Sequence, residues 1–161
     1  PIDPFYLSWR ARQCGGETRL IELAGEINTA MPTHVIRQTC VALGDHVEGS
    51  KVLLIGVSYK PNVSDTRETP AAPIIEALQD LGCDVMYHDP HCPTFPIMRR
   101  HAIDLSSVPL DAAHLAAADA VLIVTNHDVI DWNAIGEHAS LIIDTRNAMD
   151  GIAVTGRLVK A

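Results

Sequence analysis

The stretch SYKPNVSDTRETP, residues 58–70, sets Lys60, Asp65, Arg67 and Glu68 directly behind the apolar run KVLLIGV. Another cation, Arg146, stands just past a further apolar run in LIIDTRN. Guanidinium and ammonium groups suit phosphate oxygens, Arg through bidentate hydrogen bonds and Lys as a point charge. Cations at the ends of separate strands therefore read as a candidate anion site. An ordinary reading stands beside it: Asp65, Arg67 and Glu68 form a surface ion-pair cluster and Arg146 pairs with Asp144, contacts that contribute about 0–1 kcal/mol each. Residue types alone leave both open.

For such cations to share a crevice, the intervening elements must bring them to one edge. KVLLIGV, CDVMYHD, AVLIVT and SLIID read as strands, separated by helices in PAAPIIEALQDLG, PLDAAHLAAAD and DVIDWNAIGEHA. Apolar strands alternating with helices imply a parallel sheet covered on both faces. The fold class expected is α/β, a Rossmann-like doubly wound parallel sheet preceded by a long α-helical linker. In such a sheet ligands settle at the carboxyl ends of the strands, where strand order switches, and the charged loop lies at that edge. Thr69 and Pro70 suit the N-cap and first position of the next helix, whose N-terminus adds partial positive charge. Residues 90–109 are irregular and permit a short strand, and the tail GIAVTGRLVKA offers a short edge strand.

Upstream, PIDPFYLSWRARQCGG suggests a helix from near Pro4 to the Gly15-Gly16 pair. Leu20, Leu23, Ile27, Met31, Val35, Thr39 and Ala42 then recur at three- and four-residue steps, the pattern of one long amphipathic helix ending at Gly44 and Asp45. Pro32 is expected to kink or split it. A helix of about 25 residues runs roughly 37 Å, longer than one small core needs, so part of its stripe is expected to face another domain or subunit. An ordinary core helix is the competing reading. The expected division is a helical linker and dimerisation segment over 1–46 and a sheet domain over 47–161.

Composition narrows the function classes. The chain has 161 residues, 47% hydrophobic and 20% charged, with a formal charge of −8. An acidic balance argues against general nucleic-acid binding, and the absence of a run of about 20 apolar residues argues against a membrane span. Cys14, Cys40, Cys83 and Cys92 are scattered without C-x-x-C spacing, so a reducing cytoplasm is the expected setting. The opening residues carry no initiator Met and no signal-like pattern, and read as part of something longer.

Beyond these physical readings, GVSYKPNVSDTRETPA, IIDTRN, ELAGEINTAMP and above all PIDPFYLSWRAR resemble the nucleotide-diphosphate-sugar 6-dehydrogenase family (UDP-glucose/GDP-mannose dehydrogenases), in particular its UDP-N-acetylmannosamine and UDP-N-acetylglucosamine branch. The resemblance covers essentially the whole chain. It implies the central dimer-forming helix and the C-terminal UDP-sugar-binding domain of an NAD-dependent enzyme that oxidises a sugar C6 alcohol to a carboxylate. By resemblance the catalytic cysteine lies in a G-G-H-C-I-P segment upstream of Pro1, and NAD is bound mainly by an N-terminal domain. Asp3 matches the aspartate that helps orient water and the reacting oxygens; a helix N-terminal Asp is the plain alternative. Tyr59 and Lys60 match positions contacting the nucleotide sugar, Arg146 the substrate-binding arginine, and Arg67 the arginine reaching the NAD phosphates. The implied partners are a UDP-N-acetylhexosamine and a second copy of the chain. A purely structural dimerisation module without ligand binding is the alternative function.

Other polar clusters weigh less. YHDPHC gathers His88, Asp89, His91 and Cys92, all zinc-ligand types, but a strand end followed by Pro90 should make the side chains diverge, and no metal is expected. Asp89 also stands where a dinucleotide domain keeps its ribose-binding acid, without the glycine loop that must accompany it. Asn126 and His127 in TNHDVIDW are expected at the crevice edge, most simply as a helix cap. Trp9 and Trp132 are expected to be packing residues.

Overall fold

A computed structural model describes residues 3–161. Its elements in chain order are α1 (Asp3–Gln13), α2 (Arg19–Leu43), β1 (Lys51–Ile55), α3 (Ala71–Asp80), β2 (Asp84–His88), α4 (Ala112–Ala117), β3 (Ala120–Ile123), α5 (Trp132–His138), β4 (Leu141–Asp144) and β5 (Arg157–Lys160). The strands form one parallel sheet in the order β2-β1-β3-β4-β5. The chain is thus α/β with helices on both faces. The tail does supply an edge strand, β5. Residues 90–109 form no regular strand, only isolated bridges from Tyr87 to Ser107 and from Thr94 to Ser106.

Successive strand residues point to opposite faces, so continuous apolar strands feed two cores at once. Val52 and Leu54 of β1, with Leu122 of β3, face one core closed by Val35 and Ala42 of α2 and by Ile75 and Leu78 of α3. Leu53 and Ile55 face the other, with Ile123 and with Leu115 of α4 and Ile135 of α5. Order reverses between β1 and β3, which makes the edge beyond Ile55 and Ile123 the switch point of the sheet.

Gly56 lets the chain turn at this switch point. It adopts φ +76, and a Cβ there would run into the backbone carbonyl oxygen of Thr125. Both the left-handed backbone and the close approach exclude a side chain. Gly56→Ala is expected to cost about 2 kcal/mol, measured by urea unfolding.

α2 runs unbroken through Pro32 over 25 residues, so the expected split does not occur. Its second half belongs to the sheet core through Val35, Thr39 and Ala42, and Arg157 Nη1 donates to the Ala42 carbonyl at 3.3 Å near the helix end. Its first half behaves differently: Leu20, Leu23, Ile27 and Met31 are exposed, Leu20 at 79%. There α1 packs as a hairpin partner, held by Thr18 Oγ1 to Ser8 Oγ at 2.8 Å and Arg12 to Glu22 at 2.8 Å. The ring of Phe5 occupies the space a side chain at Gly25 would need. Trp9 stays half exposed against Tyr6, at 5.7 Å between ring centroids, and so is not the packing residue expected; Trp132 does pack on the core.

Candidate functional site on the carboxyl edge of the sheet

The loop after β1 folds back on itself and across to the loop after β3. Tyr59 N donates to the Asp65 carbonyl at 2.6 Å, closing the base of the loop, and Thr125 Oγ1 donates to the Ser58 carbonyl at 2.7 Å. Beneath it lies a buried polar centre that local sequence did not announce. Asp89 Oδ2 accepts from Val57 N at 2.7 Å, from Ser58 N and Oγ at 3.1 Å each, and from His127 Nε2 at 3.1 Å. Its Oδ1 accepts from His91 N at 2.8 Å. His127 is fully buried, and its Nδ1 accepts from Asn62 N at 2.9 Å. With Nδ1 accepting, the ring proton sits on Nε2 and points at Asp89.

This arrangement corrects several expectations. His127 is neither a helix cap nor at the crevice surface; the cap of α5 is Asp131, which accepts from Ala134 N at 3.1 Å. Asp89 is turned inward to hold the loop amides, so it offers no carboxylate to a ribose. The residues of YHDPHC diverge: His88 Nδ1 donates to the Val108 carbonyl, Asp89 reaches under the loop, His91 lies 4.9 Å from the His127 ring and Cys92 donates to the Thr94 carbonyl. Burial pushes the Cys83 and Cys92 thiols up, so neither resembles an activated nucleophile. For Asp89, burial pushes the carboxyl up, but the Val57 and His91 amides, the His127 ring and the Ser58 hydroxyl outweigh it and hold it below the usual range.

The residues singled out from the sequence lie around this centre with unequal freedom. Tyr59, Lys60, Arg67 and Arg146 are all exposed on the carboxyl side of the sheet. The Lys60 ammonium sits over the Tyr59 ring at 5.6 Å and makes no ion pair among the described residues. Arg146 does not pair with Asp144 through its side chain. Asp144 is buried and accepts from the amides of Arg146, Ala148 and Met149, while Arg146 Nε donates to the Val124 carbonyl at 2.6 Å. Thus the outer Nη edge of Arg146 takes no partner among the described residues. Arg67, by contrast, grips Asp65 with Nε to Oδ1 at 3.0 Å and Nη2 to Oδ2 at 2.7 Å, as the ordinary ion-pair reading expected; Glu68 stays outside the pair. The side-chain bond from Arg67 holds the Asp65 carboxyl down at about 2. In Arg67→Ala that carboxyl should return to the ordinary range near 4, read by an NMR pH titration.

Helix α3 opens one residue later than expected, at Ala71, yet Thr69 Oγ1 still accepts from Ala71 N at 3.2 Å. Asp3 lies in the first turn of α1, exposed and distant in sequence from the rim. Concavities elsewhere lie between α1 and α2, a groove of about 630 Å³ lined by Phe5, Trp9 and Glu22, and beside Lys51 and Asp84. Neither of these two includes Lys60, Arg67 or Arg146. No group of three His, Cys, Asp or Glu side chains is arranged for a metal, and no helix is long and apolar enough to cross a membrane, among the described residues.

The family model of the UDP binding domain of the UDP-glucose/GDP-mannose dehydrogenase family matches residues 53–151, more than half of the chain. The chain belongs to this family. UDP-glucose 6-dehydrogenase of Rhizobium meliloti is 30% identical over 152 residues, covering 91% of this chain and 34% of that protein. UDP-N-acetyl-D-mannosamine dehydrogenase of Methanocaldococcus jannaschii is 31% identical over 157 residues, 92% and 33% of the two chains. Among solved structures, UDP-N-acetyl-mannosamine dehydrogenase of Staphylococcus aureus superposes with TM-score 0.67 at 27% identity, over 89% of this chain and 33% of that one. The chain therefore spans about a third of the length of the curated family members it matches. The matched span includes the charged loop and Arg146.

Proposed function

We propose that this chain is the UDP-sugar-binding and dimer-forming part of an NAD-dependent UDP-sugar 6-dehydrogenase, which oxidises the C6 alcohol of a UDP-N-acetylhexosamine to the uronate. The observation that carries the reading is a pair of cations, Lys60 and Arg146, without ion-pair partners among the described residues, on the carboxyl rim of a UDP-binding domain. Lys60 supplies a point charge to a phosphate, and the outer edge of Arg146, braced through Nε on Val124, supplies paired N–H donors. Tyr59, exposed beside Lys60, offers an apolar face and a hydroxyl to the nucleotide or sugar. The division at residue 46 separates the linker from this UDP-binding part.

NAD is the hydride acceptor in this reading, but the residues of this chain do not form a dinucleotide grip of their own. The loop after β1 lacks the glycines, and Asp89 is committed to loop amides. NAD is held mainly elsewhere in the whole protein, and Arg67 is the residue of this chain that meets its phosphates. The cysteine nucleophile lies upstream in the whole protein, with Asp3 close after it to orient reacting oxygens. The setting is the cytoplasm.

Calorimetric titration of the chain with UDP, then with UDP-N-acetylglucosamine and UDP-N-acetylmannosamine, tests the reading. Micromolar to millimolar binding supports it, and no heat of binding with any of them at millimolar concentration overturns it. The exposed stripe of Leu20, Leu23, Ile27 and Met31 supports the dimer. Leu23→Glu with Ile27→Glu should give monomers in sedimentation velocity if that stripe forms the contact.

A further inference from the structure

The β1 loop carries Tyr59 and Lys60 but has no helix or strand of its own, so something must fix where these side chains stand. Asn62 is the point at which the loop is tied across the switch point. Its backbone takes φ 64, its N–H donates to His127 Nδ1 at 2.9 Å, its Nδ2 donates to Asp128 Oδ2 at 2.8 Å, and its Oδ1 accepts from Asp128 N at 2.9 Å. His127 is in turn held by Asp89, which also binds the start of the same loop through Val57 and Ser58. The loop is gripped at its root by a buried carboxylate and at its tip by a side-chain clasp. Lys60 lies between the two grips.

We propose that Asn62 and Asp128 form a clasp that positions Lys60 and Tyr59 for the UDP moiety; Asn62 and Asp128 are positioning residues, while Lys60 and Tyr59 meet the ligand. This rests on the reading that the rim binds UDP. Asp128 is otherwise hard to account for, since an exposed carboxylate beside an anion site repels the ligand. A fixed loop offsets that repulsion, because ordering Lys60 before binding removes an entropy cost that binding would otherwise carry. Left-handed backbone at Asn62 is tolerated by asparagine better than by most residues, and the clasp holds it there.

The two accounts of Asp128 predict opposite signs. If Asp128 is only a nearby negative charge, Asp128→Ala strengthens UDP binding. If it is half of a clasp, Asp128→Ala weakens UDP binding about tenfold, Asn62→Gly does the same while keeping the backbone conformation accessible, and Asp128→Asn, which retains an acceptor, binds at least as tightly as the parent. These Kd values are measured by calorimetry alongside melting temperatures, which should stay within about 2 °C of the parent because both side chains are exposed. Amide hydrogen exchange on the unliganded chain gives a readout independent of UDP: Asp128→Ala should speed exchange of the Asn62 amide about tenfold. Unchanged exchange at Asn62, or UDP binding as tight in Asp128→Ala as in the parent, overturns the clasp. Faster exchange in a chain whose parent binds no UDP instead overturns the substrate reading and leaves the clasp no ligand to serve.

Discussion

Asp89→Ala is expected to destabilise the chain by about 3–5 kcal/mol in urea unfolding, the largest loss anticipated for any single residue of the site. Asp89 is only 2% exposed, and its carboxylate accepts from Val57 N, Ser58 N, Ser58 Oγ, His91 N and His127 Nε2. Alanine would leave these donors inside the protein with no acceptor, and each unsatisfied buried donor costs about 1–3 kcal/mol before relaxation. Asp89→Asn keeps one oxygen that can face the four donors now on Oδ2, so its cost should be smaller, about 2 kcal/mol. The pH dependence separates charge from shape. The folded carboxyl lies below its ordinary range, so its contribution is complete above the unfolded value near 4 and is lost as pH falls through the folded value. Stability of the parent should therefore drop in acid below about pH 4, and the Asp89→Asn chain should show a flatter profile there. An equal slope in both chains would mean that other carboxylates dominate acid unfolding.

Lys60→Ala together with Arg146→Ala is expected to weaken UDP binding by about a hundredfold, close to 2.7 kcal/mol, with each single change giving about tenfold. These side chains carry charge not already used within the described residues. Among the described residues, Lys60 has an aromatic neighbour but no carboxylate, and Arg146 spends only Nε on Val124. Arg67 must share its fork with Asp65 to meet a phosphate, so Arg67→Ala should change UDP affinity far less than either. An exposed site in water is screened, and the affinity of the parent should fall as salt rises from about 0.05 to 0.5 M while that of the double variant changes little. Equal affinities for parent and double variant would remove the rim cations from UDP recognition. The comparison is clean because neither side chain is buried in a core.

Much of the architecture is legible in the sequence. KVLLI, AVLI and LIID carry apolar side chains at every position or nearly so, a pattern that makes sense only for strands buried on both faces. The charged loop followed from the same pattern, since whatever trails the first strand of such a sheet lies at its carboxyl edge. Element ends were less legible. α5 begins at Trp132 instead of Asp128 because Asp131 caps it and His127 is drawn inward, a preference set by a distant partner.

The sequence by itself determined the periodicities, hence the parallel sheet with helices on both faces, and the placement of Lys60 and Arg146 after strands. Those are local properties: apolar spacing and the residue types beside it. Only the tertiary structure decided that Asp89 and His127, 38 positions apart, share a hydrogen bond, that Asn62 and Asp128 clasp, and that Arg67 is held while Lys60 is not. The physical reason is register. β1 pairs with β2 on one side and β3 on the other, which carries the ends of all three strands to one place that no spacing along the chain records.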